Sequence, residues 1–206
     1  IDAYVAYRSR SDKQSVDKER FRLVLLAKND AGYKNLIKLV TLAHMEGFYY
    51  KPRVDKELLE KYSEGLIAII PSFSSDILQS LKLGNGEQAE ERLSWYKKTF
   101  KEGEDGPNLY FEVTHHPEME GHEEKKKKIM EFAKKTNTPL VAAHDVYYLN
   151  KEDRAARQTL LAVQSQNDEK IEIKEEDFSF ITQKQAEKYF KNIPVAIENT
   201  EKIADR

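Results

Sequence analysis

The side chains able to do acid–base or metal chemistry collect in three short segments, each just after an apolar run. Leu66-Ile67-Ala68-Ile69-Ile70 is followed by Pro71, Ser72 and Ser74. Leu109-Tyr110-Phe111-Glu112-Val113 is followed by Thr114, His115 and His116, and Pro139-Leu140-Val141-Ala142-Ala143 by His144, Asp145, Tyr147 and Tyr148. His115, His116, His122 and His144 are four of the chain's five histidines. Imidazole and carboxylate are the ligands divalent metals take where Cys is absent. A metal-bound water ionises near neutral pH, which suits phosphoester hydrolysis. Two readings stay open on spacing: a metallophosphoesterase site, or loops that are polar because they lie on the surface. No His pair at i, i+4 on a helix favours the first.

Other segments carry less. Phe48-Tyr49-Tyr50-Lys51-Pro52-Arg53 is an aromatic and basic cluster. Tyr49, Tyr50, Lys51 and Arg53 could stack bases and contact phosphates, or the loop could simply pack on the sheet. Lys125-Lys126-Lys127-Lys128, behind two glutamates, reads as a solvated helix face. Gly84-Asn85-Gly86 lacks the fingerprint of a phosphate-cradling loop and reads as a turn. A triad of Ser72, His116 and Asp145 has no nucleophile-elbow sequence around the serine.

Strands and helices must alternate to position these groups. Residues 1–7 alternate like a strand, and residues 22–27 form an apolar run of the kind a doubly covered parallel strand shows. Asn29 or Asp30 can cap a helix to about residue 46, with Leu36, Leu39, Val40 and Ala43 on one side. Residues 66–70 form a strand stopped by Pro71, and Ser74 or Ser75 caps the helix that follows. Helices are expected near residues 87–100, 151–163, 183–190 and 194–204, and another starting at Glu123 with Ile129, Met130, Phe132 and Ala133 on its apolar side, with strands at 109–113 and 139–143. Strands separated by helices mean a parallel sheet or a βα barrel, whose functional groups gather at the C-terminal strand ends. The polar stretch 164–180 is the linker candidate. The expected division is a βα domain over 1–165, then a linker and short helical tail over 166–206.

Composition narrows the classes. Of 206 residues, 34 are Lys or Arg and 36 are Asp or Glu, a formal charge of −2 that argues against a protein dominated by phosphate binding. A charged fraction of 34% describes a heavily charged surface. With no cysteine there is no disulfide framework, thiolate nucleophile or Cys-based zinc site, which fits a reducing cytoplasm. No apolar stretch is long enough to span a bilayer.

Longer motifs carry a family resemblance. Leu25-Leu26-Ala27-Lys28-Asn29-Asp30-Ala31-Gly32-Tyr33-Lys34-Asn35-Leu36 and Glu46-Gly47-Phe48-Tyr49-Tyr50-Lys51-Pro52-Arg53-Val54-Asp55 resemble the PHP domain of bacterial DNA polymerase III alpha subunits. Gly65-Leu66-Ile67-Ala68, the segment from Pro139 through His144-Asp145-Val146-Tyr147-Tyr148-Leu149-Asn150, and Pro194-Val195-Ala196-Ile197-Glu198-Asn199-Thr200 continue it in order.

The resemblance implies an α/β fold: a partial, distorted βα barrel, mostly parallel with outer helices, whose strand ends hold divalent metals. In some members that cluster supports phosphoesterase or proofreading 3′–5′ exonuclease activity; in others the domain is a polymerase scaffold. The family's His-x-His strand end and Asp-His-Gly segment do not occur here, so the chain resembles the domain without its first βα units. Carried over position by position, a family Glu appears as Asp2, a His as Arg22 and a Cys as Ser72. The closing Asp-x-His motif keeps Asp145 and has Tyr147 for its His. His116 matches a family His, while His115 and His144 stand where the family has Asp and Asn.

The resemblance therefore implies the PHP portion of a replicative polymerase alpha subunit, a scaffold with a degenerate metal site and no cofactor. Its partners would be the rest of the polymerase and the replisome subunits, with DNA indirectly and no membrane. One alternative is a phosphoesterase or 3′–5′ exonuclease holding Zn, Mn or Mg with Asp2, His116, His144 and Asp145. Another is a free-standing interaction module.

Overall fold

Short apolar runs separated by capped amphipathic segments build one mixed sheet with helices outside it. The computed structural model describes residues 1–165 and 177–206. The strands are β1 (Asp2–Ala6), β2 (Arg20–Ala27), β3 (Arg53–Val54), β4 (Leu66–Ile70), β5 (Leu109–Val113) and β6 (Leu140–Ala142). The helices between them are α1 (Asp30–Met45), α2 (Lys56–Lys61), α3 (Asp76–Lys82), α4 (Gly86–Thr99) and α5 (His122–Lys135). After β6 come α6 (Arg154–Ser165), α7 (Gln183–Tyr189) and α8 (Pro194–Ala204).

The sheet order is β3-β1-β2-β4-β5-β6. Pairs β1–β3, β4–β5 and β5–β6 are parallel, and β2 is antiparallel to both β1 and β4. Five strands thus run one way, and the sheet is mostly parallel and open, a partial barrel. The run at residues 22–27 is a correction: it lies in a strand that opposes both neighbours. The link from β1 to β2 holds only a 3-10 turn over Ser15–Lys18, and a return without a crossover helix makes an antiparallel pair.

Strand alternation divides the sheet into two faces. Leu23, Leu25, Ala68, Ile70, Leu109 and Phe111 point to the outer face, under Leu39 of α1, Ile77 of α3, Leu93 of α4 and Phe132 of α5. Each fully buried Leu or Phe contributes roughly 1.5–3 kcal/mol. Leu26, Ile67, Ile69, Tyr110 and Val141 form a smaller cluster on the inner face, joined by Ile203 of α8. Helix α8 also covers the β6 edge, where Asn199 Nδ2 donates to the Leu140 carbonyl at 2.8 Å.

Local chemistry sets the helix starts. Asn29 accepts from Gly32 N at 2.9 Å, Ser75 from Leu78 N at 3.2 Å and Asn85 from Gln88 N at 3.0 Å. The Gly84-Asn85-Gly86 turn is therefore also the cap of α4. Of the stretch 164–180, residues 166–176 lie outside the described residues. Its far end is packed: Tyr147 N donates to Phe178 O at 2.9 Å, and Ser179 bridges Tyr148.

Candidate functional site

Register places the polar residues. On the inner face Asp2 pairs with Val24, Val24 with Ile69 and Ile69 with Tyr110. Arg22 and Glu112 stand one step further along that face, toward the C-terminal ends of β4 and β5. Across the antiparallel pair, Arg22 reaches diagonally to Asp2. Its Nε lies 2.9 and 3.2 Å from the two carboxylate oxygens, and Nη2 lies 2.7 Å from Oδ2. The Asp2 hydrogen bonds raise the Arg22 pKa above its ordinary value, and the charges of Glu112 and Asp145 add to this.

Ser72, just past β4, is buried and satisfied. Its Oγ donates to Glu112 Oε1 at 3.1 Å and lies 3.2 Å from Thr114 Oγ1, while its backbone N donates to the same carboxylate at 3.2 Å. Thr114 Oγ1 is 3.0 Å from His122 Nε2, and His122 Nδ1 is 3.2 Å from Glu123 Oε1. A chain of hydrogen bonds thus runs from Glu112 through Ser72, Thr114 and His122 to Glu123. Burial pushes the Glu112 carboxyl up against the opposing pull of the Ser72 donors, and burial pushes His122 down.

His116 is fully buried among rings. It stacks on His144 at 5.1 Å, meets Phe178 at 5.0 Å and turns its edge to His122 at 5.8 Å. Its Nε2 lies 3.5 Å from Asp145 Oδ2 and its Nδ1 3.5 Å from Glu118 Oε1, and neither nitrogen has a partner in hydrogen-bond geometry. Burial opposes protonation of His116, but Asp145 and Glu118 outweigh it and hold the ring's pKa above the usual histidine value. Reciprocally, His116 holds Asp145 below the usual carboxylate range, against burial and with help from Arg22. His144 Nε2 lies 3.1 Å from the Ser179 carbonyl. Burial and the nearby His116 charge lower the His144 pKa.

The structure thus gathers Asp2, Arg22, Ser72, His116, His144 and Asp145 at one end of the sheet. His115 and Tyr147 stand apart. His115 turns to the outer face, stacked on Tyr189 at 4.3 Å. Tyr147 is 54% exposed, its ring 5.0 Å from Phe178 and covered by the Arg157 guanidinium at 4.0 Å.

The nucleic-acid reading of Arg53 is corrected. Arg53 is 0% exposed, and its guanidinium donates to the carbonyls of Gly47, Asp17, Arg10 and Asp12 at 2.8–3.0 Å. It ties two loops together and offers phosphate nothing. Tyr50 is 61% exposed and Tyr49 packs edge-on against it at 4.8 Å.

Sequence reasoning missed Glu112, Glu118 and Phe178 as members of the site. Glu112 had a signal, being the one acid inside an otherwise apolar strand. Phe178 had none, because it lies in a polar stretch far along the chain.

Among the described residues, no three His, Asp or Glu side chains are grouped to hold an ion. Asp2 is occupied by a guanidinium, and Arg22 itself carries no lone pair to offer a metal.

A mostly parallel open sheet with outer helices and a polar cluster at its strand ends defines a barrel-like βα domain. Residues 1–116 match the family described as PHP domain, and the chain belongs to that family. It is similar to the DNA polymerase III subunit alpha of Borreliella burgdorferi, with 33% identity over 212 residues that cover all of this chain and 18% of that protein. Similarity to the same subunit of Aquifex aeolicus is 40% over 173 residues, 80% of this chain and 14% of that protein. For Thermus aquaticus it is 38% over 170 residues, 80% and 13%. The chain therefore spans less than a fifth of the length of these relatives. Among the described residues, no helix is long and apolar enough to cross a membrane.

Proposed function

We propose that this chain is the PHP portion of a bacterial replicative DNA polymerase III alpha subunit, acting in the cytoplasm as a structural module and not as a hydrolase. Similarity to such subunits along the whole chain supports the placement. The observation that carries the non-hydrolytic role is the Arg22–Asp2 pair. A fixed cation, 2.7 Å from the carboxylate, sits in the acid cluster where hydrolysis would need an exchangeable metal ion. Its partners are then the rest of the polymerase and the replisome subunits, and DNA is met through them.

The hydrolase reading would draw on Asp2, His116, His144 and Asp145, and the unpartnered nitrogens of His116 are the feature that favours it. The chain is incubated with 3′-labelled single-stranded DNA in Mn²⁺ or Zn²⁺, beside His116→Ala and Asp145→Ala. No nucleotide release from any of the three is expected. Release by the wild type that both substitutions abolish would replace this reading with the hydrolase.

A further inference from the structure

Tyr50 is a strained residue whose ring is turned outward. Its φ is +60°, in the left-handed region, which costs free energy for any residue carrying a Cβ. Such strain persists only where the surroundings enforce it. Here they do. Tyr49 N donates to Lys51 O at 3.1 Å, which closes a tight turn with Tyr50 at its tip. The Arg53 guanidinium fixes the base of that loop by donating to the Gly47 carbonyl at 3.0 Å, and it also holds the Asp17 carbonyl at 3.0 Å. Lys18, the next residue, stands with its Nζ 4.9 Å from the centre of the Tyr50 ring.

The fold itself makes little use of that ring. It is exposed, its hydroxyl has no hydrogen-bond partner among the described residues, and its ring partners there are the edge of Tyr49 and the Lys18 ammonium. A glycine at the tip would remove the strain. An aromatic side chain kept at that cost points to a partner outside the molecule.

Charge narrows the class of partner. Lys13, Lys18 and Lys51 are exposed and have no carboxylate partner among the described residues. The acids of the same two loops are already taken. Asp12 and Asp17 pair with Arg8, while Glu46, Asp55 and Glu57 pair with Arg10. Glu19 is held by Gln79. Around the tip, then, stand an exposed tyrosine, a second exposed ring at Phe48 and ammonium groups without counter-ions. Aromatic faces beside cations hold unpaired bases and the phosphates between them, and they do so without reading sequence.

We infer that the clamped loop of residues 47–53 is a contact for single-stranded nucleic acid, with Tyr50 stacked on a base and Lys18 and Lys51 on the flanking phosphates. The role proposed above brings DNA to this domain through its partners. The loop adds a contact of the domain's own, independent of whether the strand-end site hydrolyses anything.

The test is fluorescence anisotropy of a labelled oligothymidylate of about 12 nucleotides, titrated with the 206-residue chain in EDTA so that no metal-dependent cleavage intervenes. The wild type is expected to bind the single strand, more weakly as salt rises, and to bind a duplex of the same length less well. Tyr50→Ala should weaken binding at least about fivefold, the low end of what one stacked base contributes, whereas Tyr50→Phe keeps the ring and should stay within about twofold. Replacing Lys18 and Lys51 together by Gln should flatten the logarithmic salt slope by about 1.4. Tyr50→Gly separates stacking from folding. It relieves the left-handed backbone, so it should melt no lower than the wild type and still lose binding as Tyr50→Ala does.

No binding by the wild type would overturn the inference and leave Tyr50 as an anchor for a partner protein. So would Tyr50→Ala binding as tightly as the wild type, or Tyr50→Gly melting well below it, since the ring would then serve the fold. An unchanged salt slope in the lysine variant, or equal affinity for the duplex, would do the same.

Discussion

Replacing Arg53 by Ala should cost this fold about 3–5 kcal/mol, close to the whole margin of a weak domain. The guanidinium donates to four backbone carbonyls, 3.0 Å to Gly47 and Asp17, 2.9 Å to Arg10 and 2.8 Å to Asp12. Two of these bonds are buried and two are partly buried. A buried acceptor left without a partner costs roughly 1–3 kcal/mol, while the partly buried pair can recover water and lose less. The Tyr49 ring, 5.4 Å from the guanidinium, loses its cation as well. Arg53→Lys keeps the charge but not the fork, so it should lose about half as much. Urea unfolding followed by far-UV circular dichroism gives both numbers. A loss below about 1 kcal/mol for Arg53→Ala, within the range of an ordinary surface change, would refute the claim that this arginine holds the two loops together.

Gly32→Ala should destabilise by about 2 kcal/mol or more. Its new Cβ would lie 1.9 Å from the Gly65 carbonyl oxygen, whereas Gly86→Ala meets nothing within 4 Å and should be neutral or slightly stabilising in the same urea experiment. Asp105 is held down to about 2 by Lys28 and then Arg206. Its folded pKa lies below the unfolded value of about 3.9, so its contribution is present above pH ~4 and disappears as pH falls through about 2. Asp105→Asn should therefore weaken the fall in urea midpoint across that window, and identical profiles for variant and wild type would refute the pairing.

Elements defined by strong local chemistry were legible in the sequence. The Asn29 cap and Gly47 bounded α1 within a residue or so, and Leu66–Ile70 and Leu109–Val113 stood out as apolar runs ended by polar residues. The reversal of β2 was not legible, because an apolar run reads the same in either direction, and β2 is in fact buried on alternate residues only. Arg53 misled for a related reason: nothing in a Tyr-Tyr-Lys-Pro-Arg string distinguishes a guanidinium facing solvent from one buried against four carbonyls. At the site, histidines and aspartates after strands were findable by position. That His115 points outward and His116 inward follows from strand parity once β5 is placed at Leu109–Val113. The cover supplied by Phe178 depends on a contact between residues distant in sequence, which no local pattern encodes.

Metal content is the most direct test of the proposed non-hydrolytic role. The chain is purified without chelator, incubated with Zn²⁺, Mn²⁺ and Fe²⁺, dialysed, and its metals are measured by elemental analysis. Only traces far below the protein concentration are expected to remain. A stoichiometric amount of any of these ions surviving dialysis, and lost on substitution of His116 or Asp145, would contradict the account.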